Sequence, residues 1–142
     1  MKAFREKFQI EKFQLQKTGS WVISLRPQQV TLGSLILSLD RTCPHLGELT
    51  ELEGKELSEA FKLVETLLEK TFHPDKINYL ALMMVDYQVH FHVIPRYEKP
   101  IEFDGQQYQD QDWPKPPNVL SPLELSENNL ISLKQCFKEK AN

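Results

Sequence analysis

The sequence predicts an α+β protein built around an antiparallel sheet. Apolar segments come in hairpin-like pairs, at 20–40 and again at 77–95, and one strongly patterned helix lies between the pairs. The chain lacks the strand–helix–strand alternation from which parallel sheets are made.

After a polar lead, MKAFREKFQIEKF, the run SWVISLRP (20–27) is short, apolar and stopped by proline, and reads as a strand. QQVTLG connects it to a second strand, SLILSLD (34–40). RTCPHLGEL, with Pro44 and Gly47, is a loop. The helix that follows is the best-marked element. Thr50 and Glu53 form a capping box, each side chain able to satisfy a free amide of the first turn. Leu57, Phe61, Val64 and Leu68 then recur at helical spacing among Glu and Lys, and the helix is expected to end at 70–72. INYLALMMV (77–85) and QVHFHVIP (88–95) read as two more strands joined by a tight Asp-Tyr turn. Residues 98–122 hold five prolines and many polar side chains, so an irregular arm anchored by Trp113 is expected there. SENNLISLKQCFKEK (126–140) closes as a short helix, with Ser126 as N-cap and Leu130, Leu133 and Phe137 on one face.

With 142 residues, 40% hydrophobic and 26% charged, the chain reads as a single domain able to bury a core without staples. A net charge of −3 argues against broad nucleic-acid binding, which needs a basic field, but not against a small phosphorylated ligand in a locally positive pocket. The two cysteines, Cys43 and Cys136, give neither a disulfide framework nor zinc-ribbon spacing. The lead has no continuous apolar region of signal-peptide type, and no run is long enough to span a membrane. A cytoplasmic protein without membrane or nucleic-acid partners is expected.

The informative stretch is DYQVHFHVIPRY (86–97). Side chains alternate along a strand, so Val89, Phe91 and Val93 share the face that packs under the helix, and Gln88, His90, His92 and Ile94 share the other. The two imidazoles then lie about 6.6 Å apart along one surface. One ring can attack phosphorus while the next donates to an oxygen of the same group, and imidazole suits this because it keeps a neutral nitrogen at cellular pH. The pattern alone is open first to an ordinary strand face, and also to a metal site. Zinc would need further ligands; His45, His73 and Cys43 are the available ones, and no spacing requires them.

QVHFHVIPRY resembles the signature of the histidine triad (HIT) superfamily, His-φ-His-φ-His-φ-φ with φ apolar, often followed by Pro-Arg. WVISLRPQQVTLGSLILSL is similar to that family's strand–Pro–Gly–strand hairpin, and the capped helix and NYLALMM follow in order. The likeness covers about residues 15–97, with 98–142 as arm and C-terminal helix. The tail FDGQQYQDQDWPKPP resembles a bacterial branch often labelled diadenosine polyphosphate hydrolase-like. The resemblance implies a HIT-like antiparallel sheet of about five strands, with the long helix and a C-terminal helix, in a homodimer.

It also implies a nucleotide hydrolase or transferase acting at the α-phosphate of nucleoside 5′-phosphate derivatives, dinucleoside polyphosphates above all. His90 would attack and form a nucleotidyl-histidine. His92 would donate to phosphate oxygens. Ser24 would meet the ribose, with Leu25 and Leu37 near the base, although both leucines also suit a core. Asn78 reads as structural, and Arg96 as a surface or dimer ion pair. No bound metal is required, though Mg²⁺ can accompany a polyphosphate substrate. Three positions depart from the family pattern: Gln88 replaces the first histidine, Ser34 follows the hairpin glycine where histidine is frequent, and Met84 stands where a polar residue near the phosphates is common. The Gln88 amide would still be able to donate to a phosphate. A nucleotide binder without turnover is the alternative.

Overall fold

The computed structural model describes residues 1–141. Five strands make one antiparallel sheet in the order β1-β2-β3-β5-β4: β1 Gln14–Thr18, β2 Trp21–Leu25, β3 Leu35–Leu39, β4 Lys76–Leu80 and β5 His90–Arg96. A long helix, α3 (Glu51–Phe72), packs on one face, and α4 (Glu127–Ala141) lies against α3 and β1. The main core fills the space between them. Ile23, Leu25, Leu37, Leu39 and Val93 from the sheet meet Val64, Leu67 and Leu68 of α3, and Leu133 and Phe137 of α4.

Local signals place the helices as read. The Thr50–Glu53 capping box forms, and Arg41 adds a two-pronged ion pair to Glu53 at 2.6 and 2.8 Å. Ser126 Oγ accepts from Asn129 N, capping α4.

Three segments differ from the sequence reading. The polar lead is ordered as α1 (Lys2–Lys7), α2 (Ile10–Phe13) and the edge strand β1. Phe4, Phe8 and Ile10 form a second buried cluster with Val22 and Ile36 on the face opposite α3, while Phe13 joins the main core. Next, β4 stops at Leu80, and residues 81–89 form a loop instead of a tight turn. Val89 accepts from Leu39 N and donates to Cys43 O, so the entry to β5 is tied to residues 39–43 on its β3 side, while β4 pairs along the other edge only as far as Leu80, opposite His92. Finally, the proline-rich arm contains a small hairpin, β6 (Ile101–Phe103) with β7 (Gln106–Tyr108). Its anchor is buried Asp110, which accepts from Arg96 Nε at 2.7 Å and Tyr97 N at 3.1 Å. Trp113 is only half-buried and lines a cavity beside β4.

Candidate active site

Register puts both imidazoles on the sheet face opposite α3. Val22, Ser38 and His90 form one cross-strand row; Ser24, Ile36 and His92 form the next. The two rings tilt toward each other at 84°, with Nε2 to Nε2 at 3.2 Å. His90 Nδ1 lies 2.5 Å from the carbonyl oxygen of Gln88. A carbonyl only accepts, so Nδ1 carries the proton and Nε2 keeps its lone pair. Burial lowers the His90 pKa, partly opposed by that carbonyl. His92 is pushed down to about 3 by burial, by His90 and by Arg26. Both rings are therefore neutral near pH 7.

Arg26 Nε donates to His92 Nδ1 at 3.3 Å. The loop after β2 holds Arg26 in place. Arg26 N bonds Ser34 O across its neck, and the buried Gln29 amide donates to Arg26 O and Ser34 O at 2.7 and 2.8 Å. The same amide accepts from Gly33 N and Ser34 N, and Arg26 Nη1 donates to Gln28 O.

A cavity of about 470 Å³ opens on the imidazoles, lined by Arg26, Lys7, Phe8, the 82–86 loop and Leu120 among others. Such a volume suits a small ligand. Phe4 packs on His90 with centroids 4.9 Å apart, and Phe8 lies 6.1 Å from His92. Lys7 Nζ meets Asp86 at 2.6 Å, tying α1 to the 81–89 loop beside the cavity.

No family model and no curated protein matches the sequence. Solved structures do match. A histidine triad protein from Sinorhizobium meliloti superposes with a TM-score of 0.73 at 25% identity, covering 93% of each chain. The chain has the histidine triad fold. A histidine triad protein from Bradyrhizobium japonicum gives a TM-score of 0.71 at 18% identity, again over 93% of each chain. A hypothetical histidine triad nucleotide-binding protein from Sulfolobus tokodaii gives 0.68 at 19% identity, over 91% of this chain and 83% of that one.

Within this HIT fold the expected site residues separate. His90 and His92 come together, and Met84 lines their cavity from the loop, 82% exposed. Ser24 lies in the His92 row, fully buried, and its Oγ has no hydrogen-bond partner among the described residues. Leu25 and Leu37 are not near the imidazoles. They alternate onto the opposite face and are buried in the main core. Ser34 also falls outside the site, its Oγ donating to Thr31 O within the loop after β2.

Gln88 contributes its carbonyl, not its amide. The side chain turns into the backbone of 39–43: Oε1 accepts from Cys43 N at 3.0 Å, and Nε2 donates to Leu39 O at 2.9 Å and Arg41 O at 2.6 Å. Because Gln88 precedes β5, strand alternation does not govern it. Arg96, read as a surface or dimer pair, is instead a buried intrachain partner of Asp110 and donates to Asn78 Oδ1 at 2.8 Å. His45 and His73 are exposed away from the cavity, and Cys43 Sγ contacts His45 O. Among the described residues no group of three or more His, Cys, Asp or Glu side chains gathers as a metal cluster.

Sequence reading missed Arg26, Lys7 and Phe8. Phe4, Phe8 and Ile10 were visible as apolar residues at spacings compatible with a helix, interrupted by Gln9 in a left-handed conformation. The Gly19-Ser20 turn joining β1 to β2 was a two-residue hairpin signal, with Gly19 at φ +57. Nothing local marks Arg26.

Proposed function

We propose that this HIT-fold chain binds nucleotides and is a hydrolase or transferase acting at the α-phosphate of nucleoside 5′-phosphate derivatives, with dinucleoside polyphosphates as the substrate class. The observation that carries this reading is the neutral Nε2 of His90, backed by the Gln88 carbonyl at Nδ1 and opening on a cavity that Arg26 and Lys7 line. In the resting site that lone pair accepts from His92. A phosphate group entering the cavity takes both places: phosphorus at His90 Nε2 and an oxygen at His92 Nε2–H.

His90 Nε2 attacks the α-phosphorus. The N–P bond forms as the bond to the leaving-group oxygen breaks, and the leaving group departs with that electron pair. The Gln88 carbonyl stabilises the positive charge that develops on the imidazole through Nδ1–H. Water, or another acceptor, then attacks phosphorus and gives up its proton; the N–P electron pair returns to His90 and the nucleotide is released. Arg26 and Lys7 supply positive charge, and Mg²⁺ brought by a polyphosphate substrate would neutralise more. Ser24 shares the imidazole face and its hydroxyl has no partner among the described residues, but it is fully buried and does not line the cavity, so a ribose contact there would first require it to be uncovered. The reading includes a homodimer.

The test compares wild type with His90→Ala on diadenosine tetraphosphate and adenosine phosphoramidate. A loss of at least a thousandfold in kcat is expected, together with a nucleotidyl adduct that can be trapped on wild-type His90. Equal turnover by both proteins would remove His90 from the mechanism. One observation favours a second reading, a binder without turnover. Phe4 packs against His90, and Asp86 already holds Lys7. AMP binding by calorimetry with no adduct would select that reading.

A further inference from the structure

We propose that Arg26 is a positioning residue that keeps the proton of His92 on Nε2, toward the phosphate, after His90 has engaged phosphorus. In the resting site this proton is fixed from two ends. The Gln88 carbonyl puts a hydrogen on His90 Nδ1 and leaves His90 Nε2 bare, so His92 Nε2, 3.2 Å away, has to donate. From the other end a guanidinium has donors and no acceptor, so His92 Nδ1, 3.3 Å from Arg26 Nε, has to be bare. Polarity therefore runs without conflict from guanidinium to His92, from His92 to His90, and from His90 to the carbonyl.

Attack on phosphorus removes one of those ends. Once His90 Nε2 is bonded it accepts nothing, and the influence of the Gln88 carbonyl stops at His90. A neutral imidazole left alone distributes its proton over both nitrogens. Arg26 is then the remaining determinant. It holds Nδ1 as an acceptor, which keeps Nε2–H as the donor to the phosphate oxygens. The residue is built for a fixed role: it is 7% exposed, its Nη1 is tied to Gln28 O, and the Gln29 amide clamps its loop. An arginine serving only as a surface charge would need none of this. The purpose assigned to Arg26 rests on the proposed phosphoryl chemistry, whereas the location of the proton is measurable without turnover.

Long-range ¹H–¹⁵N correlation of ¹⁵N-histidine-labelled protein reads which ring nitrogen is protonated, and the chain has only four histidines to assign. His90→Ala mimics loss of the acceptor end. In that variant His92 is expected to stay Nε2–H with Nδ1 bare. Adding Arg26→Met should shift the Nδ1 resonance toward the protonated range as both tautomers populate. Arg26→Met with His90 intact should retain Nε2–H through the Gln88 end. His92 protonated at Nδ1 in His90→Ala overturns the proposal without any need for the double variant to fold. An unchanged tautomer in a folded double variant overturns it as well. Absence of turnover with this tautomer pattern intact would instead count against the reaction and leave the role of Arg26 in orienting His92 standing.

Discussion

Substituting Gln88 by leucine removes an amide whose three hydrogen bonds all go to backbone, at Leu39, Arg41 and Cys43. The residue is 5% exposed, so water does not replace those bonds. Leaving the Cys43 amide without its partner costs about 1–3 kcal/mol, and each lost bond to a carbonyl about 0.5–1.5 kcal/mol net. The sum, about 2–6 kcal/mol, corresponds to a fall in Tm on the order of 10–20 °C for a chain of this size. Urea unfolding followed by far-UV circular dichroism measures it directly. Gln88→His should fall almost as far, because a neutral imidazole has one donor and one acceptor where this socket needs two donors and one acceptor. The reasoning fails if Gln88→Leu stays within about 0.5 kcal/mol of wild type while nucleotide binding or turnover is lost. That result would place the amide on the ligand and not in the scaffold.

Three further outcomes follow from named contacts. His92 titrates at about 3 in the fold against an ordinary value of 6.5, so between these the unfolded chain takes up a proton that the fold refuses. Stability should therefore fall as pH drops below 6.5, by about 2 kcal/mol at pH 5 from His92 alone, and His92→Gln should reduce that slope in chemical denaturation at each pH, leaving the part contributed by His90, whose pKa burial also lowers. Glu53 contributes in a lower, partly overlapping window, losing its stabilising charge as pH falls from 4.5 toward about 2. Gly33 sits at φ +92, and a Cβ there would lie 3.1 Å from Phe72; Gly33→Ala should cost about 1–3 kcal/mol by thermal unfolding. Arg96→Met strands the buried Asp110 carboxylate and should cost about 3–5 kcal/mol. The double variant Arg96→Met/Asp110→Leu should recover part of that loss; no recovery would mean that packing, not charge, dominates the pair.

Elements whose cause is local were legible in the chain. The capping box fixes the start of α3 because its partners are three residues apart. Ser126 marks α4 for the same reason, and two-residue alternation puts His90 and His92 on one face whatever else the chain does. The 77–85 run misled because a continuous apolar stretch does not mark where strand pairing stops, and here it stops at Leu80, opposite His92. Leu25 and Leu37 lie across the sheet from the imidazoles because their rows, opposite Leu35 and Phe91, alternate away from the histidines.

The order DYQVHFHVIPRY by itself determined that two neutral-range imidazoles would share a surface, and the spacing of the other elements determined that the surface belongs to an antiparallel sheet under a long helix. Tertiary structure decided what surrounds them. It brought Phe4, Phe8 and Lys7 across the imidazole face from the far N-terminus, set Arg26 against His92 from a distant loop, and turned the Gln88 amide into the 39–43 backbone. These contacts join residues tens of positions apart. They form only when sheet register and loop closure bring the donors and acceptors within about 3 Å of one another, a distance condition that no periodicity in the chain encodes.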